Sequence, residues 1–225
     1  MVRPVTCNDA DSQKRAKQAI RDRVRALRAA RVDGPAQVGS ALADVAVPHL
    51  HSSASVALYV SMRHEPDMWP LRTALRRCGV RVLLPWLRED GDLDWVLDVP
   101  DVPDVADVAD VADVPDSARA ADRRAALRPP GRLLGLDAVT AAQAVVVPAL
   151  AVDTVGRRLG QGGGSYDRVL SRLAAEASRP QLIACVFDDE VRPAATDPLP
   201  EEPHDHRVDA ALTPTRWLDF SASGR

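Results

Sequence analysis

SVALYVSMRHEPDMWPLRTALRRCGVRVLLP, residues 55–85, carries the pattern that decides the fold. Ser55–Val60 is a short apolar run rich in β-formers and reads as a buried strand. MRHEPD is its exit loop. Met68–Cys78 reads as a helix closed by Gly79. Val80–Pro85 is the next strand. A strand, a helix and a strand in this order predict parallel pairing through a right-handed crossover, hence an α/β fold.

The pattern continues in both directions. Leu93–Val99 (LDWVLDV) alternates like a strand and suits an antiparallel neighbour. Gln143–Leu150 (QAVVVPAL) and Gln181–Phe187 (QLIACVF) are apolar enough for the centre of a parallel sheet. Val208–Pro214 is expected to be the last strand. A helix over Tyr166–Ala177 turns Val169, Leu170 and Leu173 inward. Upstream, Ser12–Arg31 reads as an amphipathic helix with Ala16, Ile20, Val24 and Leu27 on its apolar face, ended by Gly34-Pro35. Gly39–Val47 reads as a second helix. The whole chain, 1–225, is expected to be one α/β domain with a mostly parallel sheet.

Composition narrows the function. With 46% hydrophobic and 27% charged residues in 225, the chain is an ordinary globular protein. A net charge of −3 gives no sign of a nucleic-acid binder. Cys7, Cys78 and Cys185 are far apart with no CxxC, which suits a reducing compartment and neither a disulfide framework nor a zinc site. The N-terminus lacks an apolar signal region, and Ala141–Val152 is too short for a membrane span, so a cytoplasmic location is expected. Lys14 and Lys17 are the only lysines among many arginines, and a retained lysine suggests use as a compact charge.

Residues 98–116 read DVPDVPDVADVADVADVPD, an aspartate at every third place. EF-hand spacing is absent, and a period of three suits neither a helix face nor a strand face. The segment is expected to be an acidic low-complexity insert. Without its seven aspartates the net charge of −3 becomes +4, a mildly basic balance suited to anionic small molecules.

RRLGQGGGSYDRV, residues 157–169, holds the chemistry. No Lys-Ser/Thr follows the glycines, so it is not a Walker A loop, and the dinucleotide fingerprint fails because Ser165 stands at its third glycine. The physical argument for an anion cradle survives. Gly160, Gly162, Gly163 and Gly164 let backbone N–H groups turn inward, and the following helix adds the positive end of its dipole. Arg157 and Arg158 supply charge, and Asp167 in the first helical turn suits Mg²⁺ against a polyphosphate. Tyr59 and Tyr166 either face one pocket beyond the strand ends or are simply buried aromatics. His64, His204 and His206 read as surface loop residues.

Four ordered blocks resemble the 5-formyltetrahydrofolate cyclo-ligase (5,10-methenyltetrahydrofolate synthetase) family. They are Lys17-Gln-Ala-Ile-Arg21, YVSMRHE (59–65), VVPALAVDTVGRRLGQGGGSYDR (146–168) and LPEEPHDHRVDAALT (199–213). The resemblance implies a three-layer α/β/α sandwich. It also implies an enzyme that closes 5-formyltetrahydrofolate to 5,10-methenyltetrahydrofolate with ATP and Mg²⁺, releasing ADP and phosphate. On that implication Lys17, Arg158 and Asp167 are catalytic. Lys17, Arg21, Arg158, Gly160, Gln161, Gly162, Gly163, Gly164, Ser165 and Tyr166 bind ATP. Val60, Glu65 and Gln161–Ser165 bind the reduced folate, and Asp167 and Asp205 hold Mg²⁺. Lys17 and Arg21, four apart on one helix face, suit a polyphosphate clamp.

The chain departs from the family pattern in places. Ser165 stands where a tyrosine is usual, GLDAVTAA (135–142) lacks the usual Glu-Pro, and Pro148 is followed by alanine. The alternative reading is a catalytically silent nucleotide- or folate-binding paralogue with a regulatory role. The expected partners are small molecules, with no nucleic acid or membrane. Monomer and weak dimer both stay open.

Overall fold

The computed structural model describes residues 7–32, 35–99 and 127–220. Its first elements are helices α1 (Cys7–Ala29) and α2 (Pro35–Leu50), then strand β1 (Ser55–Ala57), helix α3 (Trp69–Arg77) and strand β2 (Arg81–Leu87). The β1–α3–β2 unit is the parallel crossover read from the sequence, with Val56 opposite Val82. Pro70 lies in the first turn of α3, where a missing N–H costs nothing. Gly79, at φ +80°, ends the helix, and the Val80 N–H returns 3.1 Å to the Leu75 carbonyl.

Strands β3 (Leu93–Leu97), β4 (Ala144–Pro148), β7 (Gln181–Cys185), β9 (Ala210–Leu212) and β10 (Trp217–Asp219) complete a seven-stranded sheet of order β10-β9-β7-β4-β1-β2-β3. Its five inner strands are parallel, and the edge strands β3 and β10 are antiparallel to their neighbours. Alternate residues divide between the two faces. Val56, Val82, Leu84, Val146 and Ile183 pack with Leu42, Leu50, Leu71 and Leu75 of α2 and α3. Val145, Val147, Leu182 and Ala184 pack with Val169, Leu170 and Leu173 of helix α4 (Ser165–Ala174). The result is a mostly parallel sheet between helical layers.

Three features differ from the sequence expectation. A second, three-stranded sheet of β5 (Ala151–Asp153), β6 (Arg158–Leu159) and β8 (Val191–Arg192) was not expected. The strand expected to be last, β9, is followed by β10. Most consequentially, α1 does not bury the face its apolar spacing predicts. Ala16 and Leu27 are exposed, and the inward stripe runs through Lys17, Ile20, Arg21, Val24 and Arg28. Its targets are carboxylates and carbonyls, so bases are buried where apolar residues were expected.

Asp98, first of the periodic aspartates, is tied into the fold by a bidentate pair with Arg72 at 2.6 and 2.7 Å. The repeat from residue 100 onward lies outside the described residues.

Arg157 joins the buried Asp153 (3.0 Å) to Glu201 (2.9 Å), which also accepts two bonds from Arg207 at 2.7 and 2.8 Å. The Arg207 bonds first, and then Arg157, hold the Glu201 carboxyl down at about 2 against burial. A depressed carboxyl contributes stability that is fully present above its ordinary value near 4.5 and is lost as pH falls toward about 2. Wild type therefore melts above Glu201→Gln at pH 6, and the gap closes toward pH 2. A gap that stays constant across that window contradicts the assignment.

Candidate active site

The inward stripe of α1 meets the glycine loop and the loop before β9. Lys17 Nζ donates to Glu202 Oε2 at 2.6 Å and to Asp205 Oδ2 at 2.5 Å. One turn on, Arg21 Nε donates to the Gly160 carbonyl at 3.0 Å. Arg25 Nη2 reaches the Gln161 carbonyl at 2.7 Å. Three bases on one helix thus hold two separate loops.

Two of the four loop glycines take the positive-φ backbone that the sequence suggested. Gly162 and Gly164 sit at φ +95° and +78°, where side-chain-bearing residues are strained. Gly164 is the N-cap of α4, so the loop delivers its backbone to the positive end of that helix, with Asp167 in the first turn. Arg158 is nearly buried and pairs through Nη2 with Asp167, while its Nη1 donates 3.3 Å to the Pro148 carbonyl. Its Nε is buried without a partner among the described residues.

Glu65 is placed by a turn. His64 takes φ +65°, the Glu65 N–H donates 2.9 Å to the Met62 carbonyl, and the Met62 N–H donates 2.9 Å to Glu65 Oε2. Gln161 Nε2 donates to the other carboxylate oxygen at 3.1 Å, linking the glycine loop to this acid. Burial raises the Glu65 carboxyl above its ordinary range, opposed by these two donors and by the charge of Arg28. The Tyr166 hydroxyl is buried without a partner among the described residues, and burial, with the charge of Glu65 adding, raises it. Tyr59 Oη donates 2.8 Å to the Pro66 carbonyl, behind the same turn. Val60 lines a cleft with Leu58, Ser61, Met68 and Trp69.

Lys17 and Asp205 therefore meet, as do Arg21 and Gly160, Gln161 and Glu65, and Arg158 and Asp167. The two expected metal acids do not share a partner. Asp205 clusters instead with Glu202 and His204, their ligand atoms all within 4.8 Å of one another. His204 is exposed and 4.0 Å from Glu202. Arg157 is committed to Asp153 and Glu201 and points no free charge at the loop. Cys185 is buried, which pushes its thiol up to about 12 and rules it out as a nucleophile.

The sequence that builds this arrangement matches a known family. The profile of the 5-formyltetrahydrofolate cyclo-ligase family covers residues 13–214, which includes every contact described above around the glycine loop. The chain belongs to the 5-formyltetrahydrofolate cyclo-ligase family. A 5-formyltetrahydrofolate cyclo-ligase of Mycolicibacterium smegmatis is 36% identical over 167 residues, 74% of this chain and 77% of that protein. A mitochondrial 5-formyltetrahydrofolate cyclo-ligase of Arabidopsis thaliana is 35% identical over 75 residues, 31% of this chain and 26% of that protein. The fold agrees with the 5,10-methenyltetrahydrofolate synthetase of Aquifex aeolicus, at TM-score 0.66 and 21% identity over 93% of this chain and 94% of that one. It also agrees with the synthetase of Mycoplasma pneumoniae, at TM-score 0.57 and 15% identity over 87% and 97%. No helix among the described residues is long and apolar enough to cross a membrane.

Within this cyclo-ligase-family chain, sequence reasoning missed four residues that build the site. Glu202 lies three places before Asp205 in a block that was matched, yet only the aspartate drew notice. Arg25, Arg28 and Glu190 were missed because nothing in apolar periodicity marks an ion-paired helix face. Spacing from Lys17 was the available signal for Arg28, since 17, 21, 24 and 28 follow one helical stripe of α1.

Proposed function

We propose that this chain converts 5-formyltetrahydrofolate and ATP to 5,10-methenyltetrahydrofolate, ADP and phosphate, with Mg²⁺. The observation that carries the reading is the Gln161–Glu65 bond, which joins a phosphate-type glycine loop to a half-buried acid. The two substrates of such a reaction must meet there. Phosphoryl transfer is mostly positioning and charge neutralisation. Lys17, Arg21 and Arg158 supply the positive charge, and the backbone N–H groups of Gly160–Gly164 cradle oxygens. Glu65 accepts from the N–H edge of the pterin, and Tyr166 offers its buried hydroxyl at the junction.

The acids suit a magnesium ion. Carboxylate oxygens are its preferred donors, and the Lys17 ammonium already occupies a cation position between Glu202 and Asp205. Asp167 and Asp205 would hold the ion, which when bound neutralises phosphate charge. In the reaction the formyl oxygen takes the γ-phosphoryl group, N10 closes on the activated carbon, and phosphate leaves. All these residues come from one chain, and the reading places the enzyme in the cytoplasm.

ADP release is expected only when 5-formyltetrahydrofolate is present. Glu65→Gln raises the KM for the folate by roughly 10-fold or more, the cost of one charged hydrogen bond, and leaves the KM for ATP within about 2-fold. Equal effects on both substrates would falsify the role of Glu65, and folate-independent ADP release would count against the reaction itself.

A further inference from the structure

Both acids expected to hold a metal ion are held here by bases expected to hold phosphate. Lys17, 5% exposed, lies between Glu202 and Asp205 at 2.6 and 2.5 Å. Arg158, whose side chain is 5% exposed, holds Asp167. Resting on the cyclo-ligase reading above, we propose that nucleotide and Mg²⁺ bind by partner exchange in these three ion pairs, and that Glu202 is a further carboxylate of the metal site.

The geometry is built for exchange. Glu202 and Asp205 are locked side by side by two local bonds. The Glu202 N–H donates 2.7 Å to Asp205 Oδ2, and the Asp205 N–H donates 2.9 Å to the Glu202 carbonyl. Two carboxylates held this close repel unless a cation sits between them. The Lys17 ammonium is that cation. A divalent ion entering the cluster meets its charge and finds one oxygen of each carboxylate, Glu202 Oε2 and Asp205 Oδ2, already bonded to it.

A polyphosphate changes the balance. Its oxygens offer Lys17 and Arg158 an alternative acceptor within reach of α1 and the glycine loop, where Arg21 already sits on Gly160. Once the two bases turn to phosphate, Glu202, Asp205 and Asp167 are released as oxygen ligands. Without nucleotide, removing Lys17 from its acids strands a buried charge. Without metal, it leaves two carboxylates facing each other. Each ligand removes the cost of admitting the other, which is positive coupling between them.

The test is Mn²⁺ binding to the full chain without nucleotide, read by electron paramagnetic resonance. Lys17→Met is expected to bind Mn²⁺ at least about 10-fold more tightly than wild type, a coupling of ordinary size. Adding Glu202→Gln to Lys17→Met should remove the gain. Equal binding by wild type and Lys17→Met overturns the exchange, and a gain that survives Glu202→Gln overturns the role of Glu202. Circular dichroism checks that the variants fold. If Lys17→Met does not, Glu202→Gln alone keeps the Lys17–Asp205 pair. It should then raise the magnesium concentration for half-maximal turnover by about 10-fold, a coupling of the same size, with the folate KM unchanged. An unchanged magnesium requirement overturns the proposal. Failure of the cyclo-ligase reading looks different, because no methenyl product forms at any magnesium concentration while the Mn²⁺ result still decides the exchange.

Discussion

Asp167→Asn lowers turnover by roughly 100- to 1,000-fold at saturating ATP and folate, the usual loss when one preorganised electrostatic group is removed from a reacting centre. The substitution keeps the side chain's shape in the first turn of α4 and an oxygen that can accept from Arg158. It removes only the negative charge that would face the metal. Asp167 is half exposed, at 52%, although its partner Arg158 is nearly buried. Pairs this open contribute at most about 1 kcal/mol to stability, so the melting temperature moves by only a few degrees. Activity and stability therefore separate. Steady-state kinetics beside a thermal melt decide the matter, and turnover within a few-fold of wild type removes Asp167 from the centre.

Arg28→Ala destabilises the fold by about 3–5 kcal/mol, the cost of leaving a buried charge without its partner. Arg28 is 3% exposed and Glu190 4%, and they pair through two bonds of 2.7 Å. Arg28 Nη2 also donates 2.6 Å to the Ala149 carbonyl at the exit of β4, and the Phe187 N–H donates 2.9 Å to Glu190. Burial pulls the guanidinium down, but the bond and charge of Glu190 outweigh it, and its pKa is raised. This pair pins α1 to the segments that follow β4 and β7 of the main sheet. The double variant Arg28→Met with Glu190→Leu should recover part of the loss, because no charge then remains buried. Urea denaturation reads both. A single variant within 1 kcal/mol of wild type shows that α1 is held elsewhere.

Much of the main sheet was legible in residues 55–85 and in the apolar runs that follow. Parallel strands are buried on both faces, so Val145–Val147 and Leu182–Cys185 declare themselves by composition. The second sheet was not legible, since its strands hold only two or three residues and no periodicity develops in so few. Strand β10 is a short edge strand with half-exposed residues, and it reads as loop for the same reason.

The site divides along a similar line. Gly162 and Gly164 were legible because only glycine adopts their conformations easily, and the helix that follows is strongly patterned. Lys17 was legible as one of two lysines among many arginines. The continuation of the Lys17–Arg21 face to a buried Arg28 was not, because hydrophobic spacing assigns bases to solvent. Here the opposing surface consists of Glu202, Asp205, Glu190 and the carbonyls of Gly160 and Ala149, so bases are what it buries. The partnering of Asp167 with Arg158 is likewise a tertiary fact, nine residues apart in sequence and across a loop.

The most direct measurement mixes the purified chain with 5-formyltetrahydrofolate, ATP and Mg²⁺ and follows the near-ultraviolet absorbance of 5,10-methenyltetrahydrofolate. The account predicts product with all three present and none when either ATP or Mg²⁺ is left out. No product from a folded chain that still binds ATP would contradict it and turn attention to the pocket around Glu65 and Ser165.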